Sequence, residues 1–65
     1  MENNHVKLKA LRALNRHTQR DVAEAMRISH AAYNRKENGF TDFMMSEILF
    51  LMEFYSVKFE DIFNL

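Results

Sequence analysis

Proline is absent from this 65-residue chain, and Gly39 is its only glycine. Tight turns between strands depend on these two residue types, so the composition favours helices and makes a sheet hard to turn. Apolar residues make up 48% of the chain, which is ordinary for a globular domain and argues against disorder. The composition predicts one all-α domain over residues 1–65 with a thin core.

Capping residues and helical spacing of apolar residues divide the chain into five segments. The first helix is predicted over about 5–15, with Leu11 and Leu14 on its apolar edge. Thr18 is a suitable cap for the second helix, with Asp21 in its positive first turn. Ser29 is the predicted cap of a third helix over 30–37, which Gly39 ends. A fourth helix is predicted from a Thr41 or Asp42 cap to about Tyr55. Ser56 breaks it, and a fifth helix is predicted over 58–63. The pattern predicts a compact five-helix bundle.

Residues 18–39, TQRDVAEAMRISHAAYNRKENG, contain two short helices joined by a tight turn. The predicted anchors between these helices are small or apolar: Val22, Ala23, Met26, Ile28 and Tyr33. The outward face of the second helix carries Ala31, Asn34, Arg35 and Asn38 at spacing i, i+3, i+4 and i+7, beside His30. Arginine offers a bidentate donor pair to guanine, and asparagine matches adenine. This face indicates a surface that reads base edges in DNA.

The same stretch is similar to the helix-turn-helix of the Cro and lambda-type repressors, also called the XRE family. The segments TQRDVAEAMRIS and AAYNRKENG carry the Thr-Gln opening, the turn serine and the closing Glu-x-Gly of that family. LKALRALNRHTQ resembles its first helix and FYSVKFEDIF its closing helix, so the resemblance covers nearly the whole chain. It implies a lambda-repressor-like DNA-binding domain with the helix-turn-helix at about 18–38 and helix 30–37 in the major groove.

The resemblance also implies roles for individual residues. The side chains that would face bases are His30, Ala31, Asn34 and Arg35. The side chains that would contact phosphates are Thr18, Gln19, Asn38 and Thr41. Glu37 would pair with Arg12 inside the protein. Arg27 and Lys36 depart from the family, which favours glycine and a bulky apolar residue at these positions, and both would add positive charge near the DNA face.

Charge is distributed unevenly along the chain, although its net value is zero. Residues 1–38 hold eight Lys/Arg and four Asp/Glu, for a net +4, and residues 39–65 carry a net −4. A basic half can face phosphates while the acidic half points away. Three interpretations of the face at 29–38 remain open: it reads DNA, it binds a protein, or it is simply solvated.

Segment 48–55, ILFLMEFY, is apolar on more than one side. Its core face is predicted to consist of Ile48, Leu51, Met52 and Tyr55. Phe50 and Phe54 form a second stripe, which Phe43 extends, and a domain this small cannot bury both. Either the fifth helix covers this stripe, or a second copy of the chain does. We predict a homodimer whose interface contains Phe43, Phe50, Phe54 and Phe63. Such a dimer places two reading helices about one DNA turn apart, ~34 Å, on a near-palindromic operator.

Other functional classes find little support in the sequence. There is no cysteine, no Ser/His/Asp grouping and no glycine-rich phosphate loop, and His5, His17 and His30 lack helical metal-ligand spacing. We therefore expect no catalytic residue, no metal and no cofactor. No apolar run reaches the ~20 residues of a membrane span, and MENNHVKLK lacks a signal-peptide core, so we expect a cytoplasmic protein without a membrane partner.

Together these observations predict a transcriptional regulator that binds double-stranded DNA sequence-specifically. A Cro-like repressor of phage or prokaryotic origin is the specific form that we expect. The alternative is an antirepressor-like modulator, which would dock on another regulator protein through the apolar C-terminal surface.

Overall fold

The computed structural model describes residues 5–63, which form five helices and include no strand. The helices are α1 (Val6–Leu14), α2 (Gln19–Met26), α3 (His30–Glu37), α4 (Met45–Tyr55) and α5 (Phe59–Ile62). The prediction of an all-α five-helix bundle is confirmed. The first four and last two residues of the predicted domain at 1–65 lie outside the described residues. None of the helices between residues 5 and 63 combines the length and the apolar character that crossing a bilayer requires.

Helix α2 is bounded by two local devices that fix its length. Thr18 and Asp21 form a reciprocal cap: the Asp21 N–H donates to the Thr18 hydroxyl at 3.0 Å, and the Thr18 N–H donates to the Asp21 carboxylate at 2.8 Å. The helix ends at Met26, and the next residue, Arg27, adopts a left-handed backbone with φ 61°. Arginine therefore occupies the left-handed conformation that usually favours glycine.

Helix α3 begins and ends where the sequence predicts. The Ala32 N–H donates to the Ser29 hydroxyl at 3.0 Å, so Ser29 is the expected cap. The helix ends at Glu37, and Gly39 follows with φ 82°, the left-handed conformation that glycine tolerates best. These two ends limit α3 to eight residues, about two turns of helix.

The predicted start of α4 is wrong. Neither Thr41 nor Asp42 caps it, and the helix begins at Met45. Two contacts explain the shift. The Thr41 N–H donates to the Arg35 carbonyl at 3.3 Å, which ties Thr41 to the end of α3. The Met44 N–H donates to the Glu47 carboxylate at 2.8 Å, so a side chain inside the first turn supplies the cap.

The core draws on every helix. Its buried apolar residues are Leu8, Val22, Ala23, Tyr33, Leu51, Ile62 and Phe63. Three of the five predicted anchors are thus buried, and Met26 and Ile28 pack against them half-buried. The expectation for Leu14 is wrong, because this side chain is 79% exposed. In a helix with 3.6 residues per turn, Leu14 lies roughly 120° around the axis from the buried Leu8 and so points away from the core.

Candidate nucleic-acid interface

An open depression lies on the surface between α2 and α3. It is lined by Gln19, His30, Ala31, Asn34 and Arg35. All four residues predicted to contact bases are therefore brought together, and Gln19 joins them from the other helix. His30, Ala31 and Arg35 are exposed, and Asn34 is half-buried. An exposed face with one charged, two polar and one small side chain is compatible with contacts to base edges.

The side chain of Gln19 connects this face to the interior. Its Nε2 donates to Oε1 of Glu37 at 2.9 Å. Its Oε1 accepts from Nδ2 of Asn34 at 3.0 Å and lies 3.1 Å from Nε2 of His30. The resemblance implies a phosphate contact for Gln19, and the sequence does not reveal these hydrogen bonds, because the partners of Gln19 are 11, 15 and 18 residues away along the chain. Only the crossing of α2 over α3 reveals them.

Glu37 is a buried carboxylate behind this depression. Arg12 donates to it through Nε at 2.9 Å and Nη2 at 3.2 Å, and the Tyr33 hydroxyl donates at 2.7 Å. The predicted pairing of Arg12 with Glu37 is confirmed. Burial raises the pKa of Glu37, but the hydrogen bonds from Arg12, Tyr33 and Gln19 outweigh it, so the pKa lies below its ordinary value. The ionised carboxylate therefore joins α1, α2 and α3 at one point.

The residues predicted to contact phosphates flank the depression at two helix ends. Thr18 and Gln19 lie at the start of α2, whereas Asn38 and Thr41 follow the end of α3. Nδ2 of Asn38 donates to the Asn34 carbonyl at 2.9 Å. The Thr18 N–H and hydroxyl lower the pKa of Asp21, whose negative charge sits at the positive end of α2. The phosphate contacts of these four residues stay predictions.

Lys36 does not add free positive charge beside the DNA face, contrary to the sequence-based expectation. Its Nζ donates to both oxygens of Glu47 at 2.7 and 2.9 Å, and both side chains are largely buried. The ion pair links α3 to α4 where the family has an apolar residue. Arg27 behaves differently, because its side chain is exposed. Of the two departures from the family, only Arg27 leaves its charge available.

The four phenylalanines predicted for a dimer interface do not form one stripe. Phe63 is only 7% exposed, so almost none of its side chain is accessible to the predicted dimer partner. It packs against Phe43 with ring centroids 5.8 Å apart, because the end of α5 folds back over this part of the core. Phe50 and Phe54 form a separate stack at 5.3 Å, with Phe54 40% exposed.

Two exposed apolar residues on α4 escaped the sequence analysis. Met45 and Leu49 are exposed, with Leu49 at 57%. Their spacing of four places them on one side of the helix, and this spacing was the signal that could have identified them. Phe54 is exposed as well but lies on a different side of the helix, and the three side chains are the exposed apolar residues of α4.

A family model described as helix-turn-helix matches residues 8–62, which run from α1 to the end of α5. The chain belongs to this XRE-type helix-turn-helix family. No match is found among curated proteins or among solved structures. The family consists of DNA-binding domains rather than enzymes, and its members of this type are regulators that bind double-stranded DNA. The match to this Cro- and lambda-repressor-like family includes α2, α3 and the turn between them.

Proposed function

We propose that this helix-turn-helix protein is a sequence-specific repressor of the Cro kind, of phage or prokaryotic origin. In this proposal α3 enters the major groove of a near-palindromic operator. The observation that carries the proposal is the convergence of His30, Ala31, Asn34 and Arg35 on one accessible face. The buried Val22, Ala23 and Tyr33 support that face from behind, so its side chains are held on a rigid element.

Contacts to the phosphates would orient α3 in the groove. Thr18 and Gln19 on one side, and Asn38 and Thr41 on the other, are the residues proposed for these contacts. The exposed Arg20 and Arg27 add positive charge at the two ends of α2. Because phosphate contacts release counterions from DNA, affinity should fall steeply as salt increases.

Selection of bound sequences from a random pool of duplex DNA tests the proposal. We expect the enriched sites to contain two inverted half-sites with centres about 10 bp apart, which is one turn of the duplex. Titration of the selected site at several salt concentrations should give a linear fall of log affinity with log salt. A pool without enrichment, combined with no retardation of DNA at low salt, would contradict the proposal.

Self-association through α4 is the second part of the proposal. The exposed Met45 and Leu49 supply one part of the contact surface, and Phe54, stacked on Phe50, supplies another on a different side of α4. Phe63 supports Phe43 from inside the protomer rather than contacting the partner. An isologous dimer of this kind applies the same apolar surface twice, so each substitution acts on both sides of the interface.

Leu49→Glu is expected to weaken the dimer by about tenfold or more, since each dimer would bury two charges against apolar groups. Sedimentation of the free protein over a range of concentrations measures the effect. Leu14→Glu is the matched control, because Leu14 is 79% exposed on α1 and lies outside the proposed interface. Equal self-association of the two variants would show that Leu49 on α4 is not part of the interface.

The exposed apolar surface of α4 also favours a second candidate function. A modulator that docks on another regulator protein would use the same residues without requiring DNA. Its distinguishing result is a complex with such a regulator that Leu49→Glu abolishes, together with no retardation of DNA at low salt.

A further inference from the structure

The orientation of the Gln19 amide is determined by the charge behind it. Glu37 is fully buried and ionised, and an ionised carboxylate only accepts hydrogen bonds. The Gln19 nitrogen must therefore face Glu37, as the Nε2–Oε1 distance of 2.9 Å shows. Rotating the amide by 180° would place its oxygen against the carboxylate, two acceptors in a buried position. The Gln19 oxygen is thus directed toward α3.

Because the Gln19 side-chain oxygen faces α3, the α3 atoms next to it must donate hydrogen bonds. Oε1 of Gln19 lies 3.1 Å from Nε2 of His30 and 3.0 Å from Nδ2 of Asn34. Neutral imidazole carries one proton, so a proton on Nε2 leaves a lone pair on Nδ1. Asn34 likewise directs its amide nitrogen to Gln19 and keeps its Oδ1 as an acceptor. Within residues 5–63, Nδ1 of His30 has no hydrogen-bond partner.

We infer that Gln19 is a positioning residue: it determines which side-chain atoms on the outward face of α3 donate hydrogen bonds and which accept them. Through Gln19, the buried Glu37 holds His30 in the tautomer that offers an acceptor, Nδ1, to DNA. In the major groove only cytosine and adenine present a donor, the exocyclic amino group, whereas guanine and thymine present acceptors. At the base opposite His30, the protein therefore prefers cytosine or adenine, whose amino group can donate to Nδ1, over guanine and thymine. This specificity rests on the proposed function, but the tautomer does not.

The tautomer is tested on the free protein, by nitrogen-15 NMR of the imidazole rings at a pH where they are neutral. In the wild type we expect His30 to be protonated on Nε2 and unprotonated on Nδ1. Gln19→Met, which keeps the length of the side chain and removes both polar atoms, should give a mixture of the two tautomers. His17, whose Nδ1 lies 3.1 Å from the Tyr55 hydroxyl, is an internal control that should not change. Protonation of His30 on Nδ1 in the wild type would overturn the inference, whether or not DNA is bound.

Base preference is tested by sequence selection with three proteins: the wild type, His30→Ala and Gln19→Met. The position at which His30→Ala loses its preference identifies the base opposite His30. There the wild type should favour cytosine or adenine by about three- to tenfold, the effect of one hydrogen bond. Gln19→Met should reduce this preference toward equality and keep the preference at the position read by Arg35. Selection of guanine or thymine by the wild type contradicts the proposed specificity. If no protein selects any sequence, the proposed function fails while the NMR result still decides the tautomer.

Discussion

Replacing Arg35 with alanine is expected to weaken binding to the selected operator by about 1–3 kcal/mol and to relax preference at one base position per half-site. Arg35 is the one basic side chain that lines the depression between α2 and α3. A guanidinium can donate two parallel hydrogen bonds to guanine, and no smaller side chain at this position replaces them. Titration of the operator and of single-base variants by fluorescence anisotropy measures both effects.

Lys58→Ala is the matched control for the loss of one positive charge. Lys58 is exposed at the start of α5, in the acidic half of the chain. We expect this variant to bind the operator with nearly unchanged affinity and to keep every base preference. If Arg35→Ala bound as tightly as the wild type, or lost affinity equally for all sequences, Arg35 would not read a base.

Glu37→Ala is expected to lower the free energy of unfolding by about 3–5 kcal/mol, the range measured when one partner of a buried ion pair is removed. Arg12, Tyr33 and Gln19 all donate to this carboxylate, so its loss leaves three donors without their acceptor. A domain of this size has only about 5–15 kcal/mol of stability to lose, and small domains lie at the lower end. Urea denaturation followed by circular dichroism measures the difference.

The control for this prediction is Glu53→Ala, which removes an exposed carboxylate from α4 and should change stability by less than about 0.5 kcal/mol. The dependence on pH gives a second test. Because the pKa of Glu37 is lowered in the folded protein, its contribution is fully present above the unfolded value of about 4.3. It is lost as pH falls through the folded pKa, so the wild type and Glu37→Ala should converge in acid. A gap that stays constant at low pH would show that Glu37 acts through packing alone.

Local chemistry made several features of this protein predictable. Thr18 and Ser29 accept hydrogen bonds from N–H groups three residues further along the chain, and Gly39 takes the left-handed conformation where α3 ends. The spacing of residues along α3 then determines which side chains share its outward face, so the four side chains predicted to face bases also lie together in the structure. The Arg12–Glu37 pair joins residues 25 apart and was reached only through the family resemblance.

Predictions failed where a distant group changed a local preference. Thr41 is a good capping residue, but the Arg35 carbonyl accepts its N–H and Glu47 caps α4 instead. Lys36 was expected to add a free positive charge, but α4 places Glu47 beside it and the two form an ion pair. Phe63 is predicted to contact a second copy of the chain, yet it packs into the core beside α5. The sequence contained each residue involved, but it did not show which of them meet.

The amino-acid sequence by itself determined where α2 and α3 lie and which side chains share the outward face of α3. Caps, turns and helical spacing act within a few residues, which is why these features could be predicted. Only the tertiary structure decided which residues support that face and which of its atoms donate or accept hydrogen bonds. The hydrogen bonds from Gln19 to Glu37, Asn34 and His30 exist only once two helices cross. Their direction follows from a charge buried by the whole fold, and burial is a property that no local segment possesses.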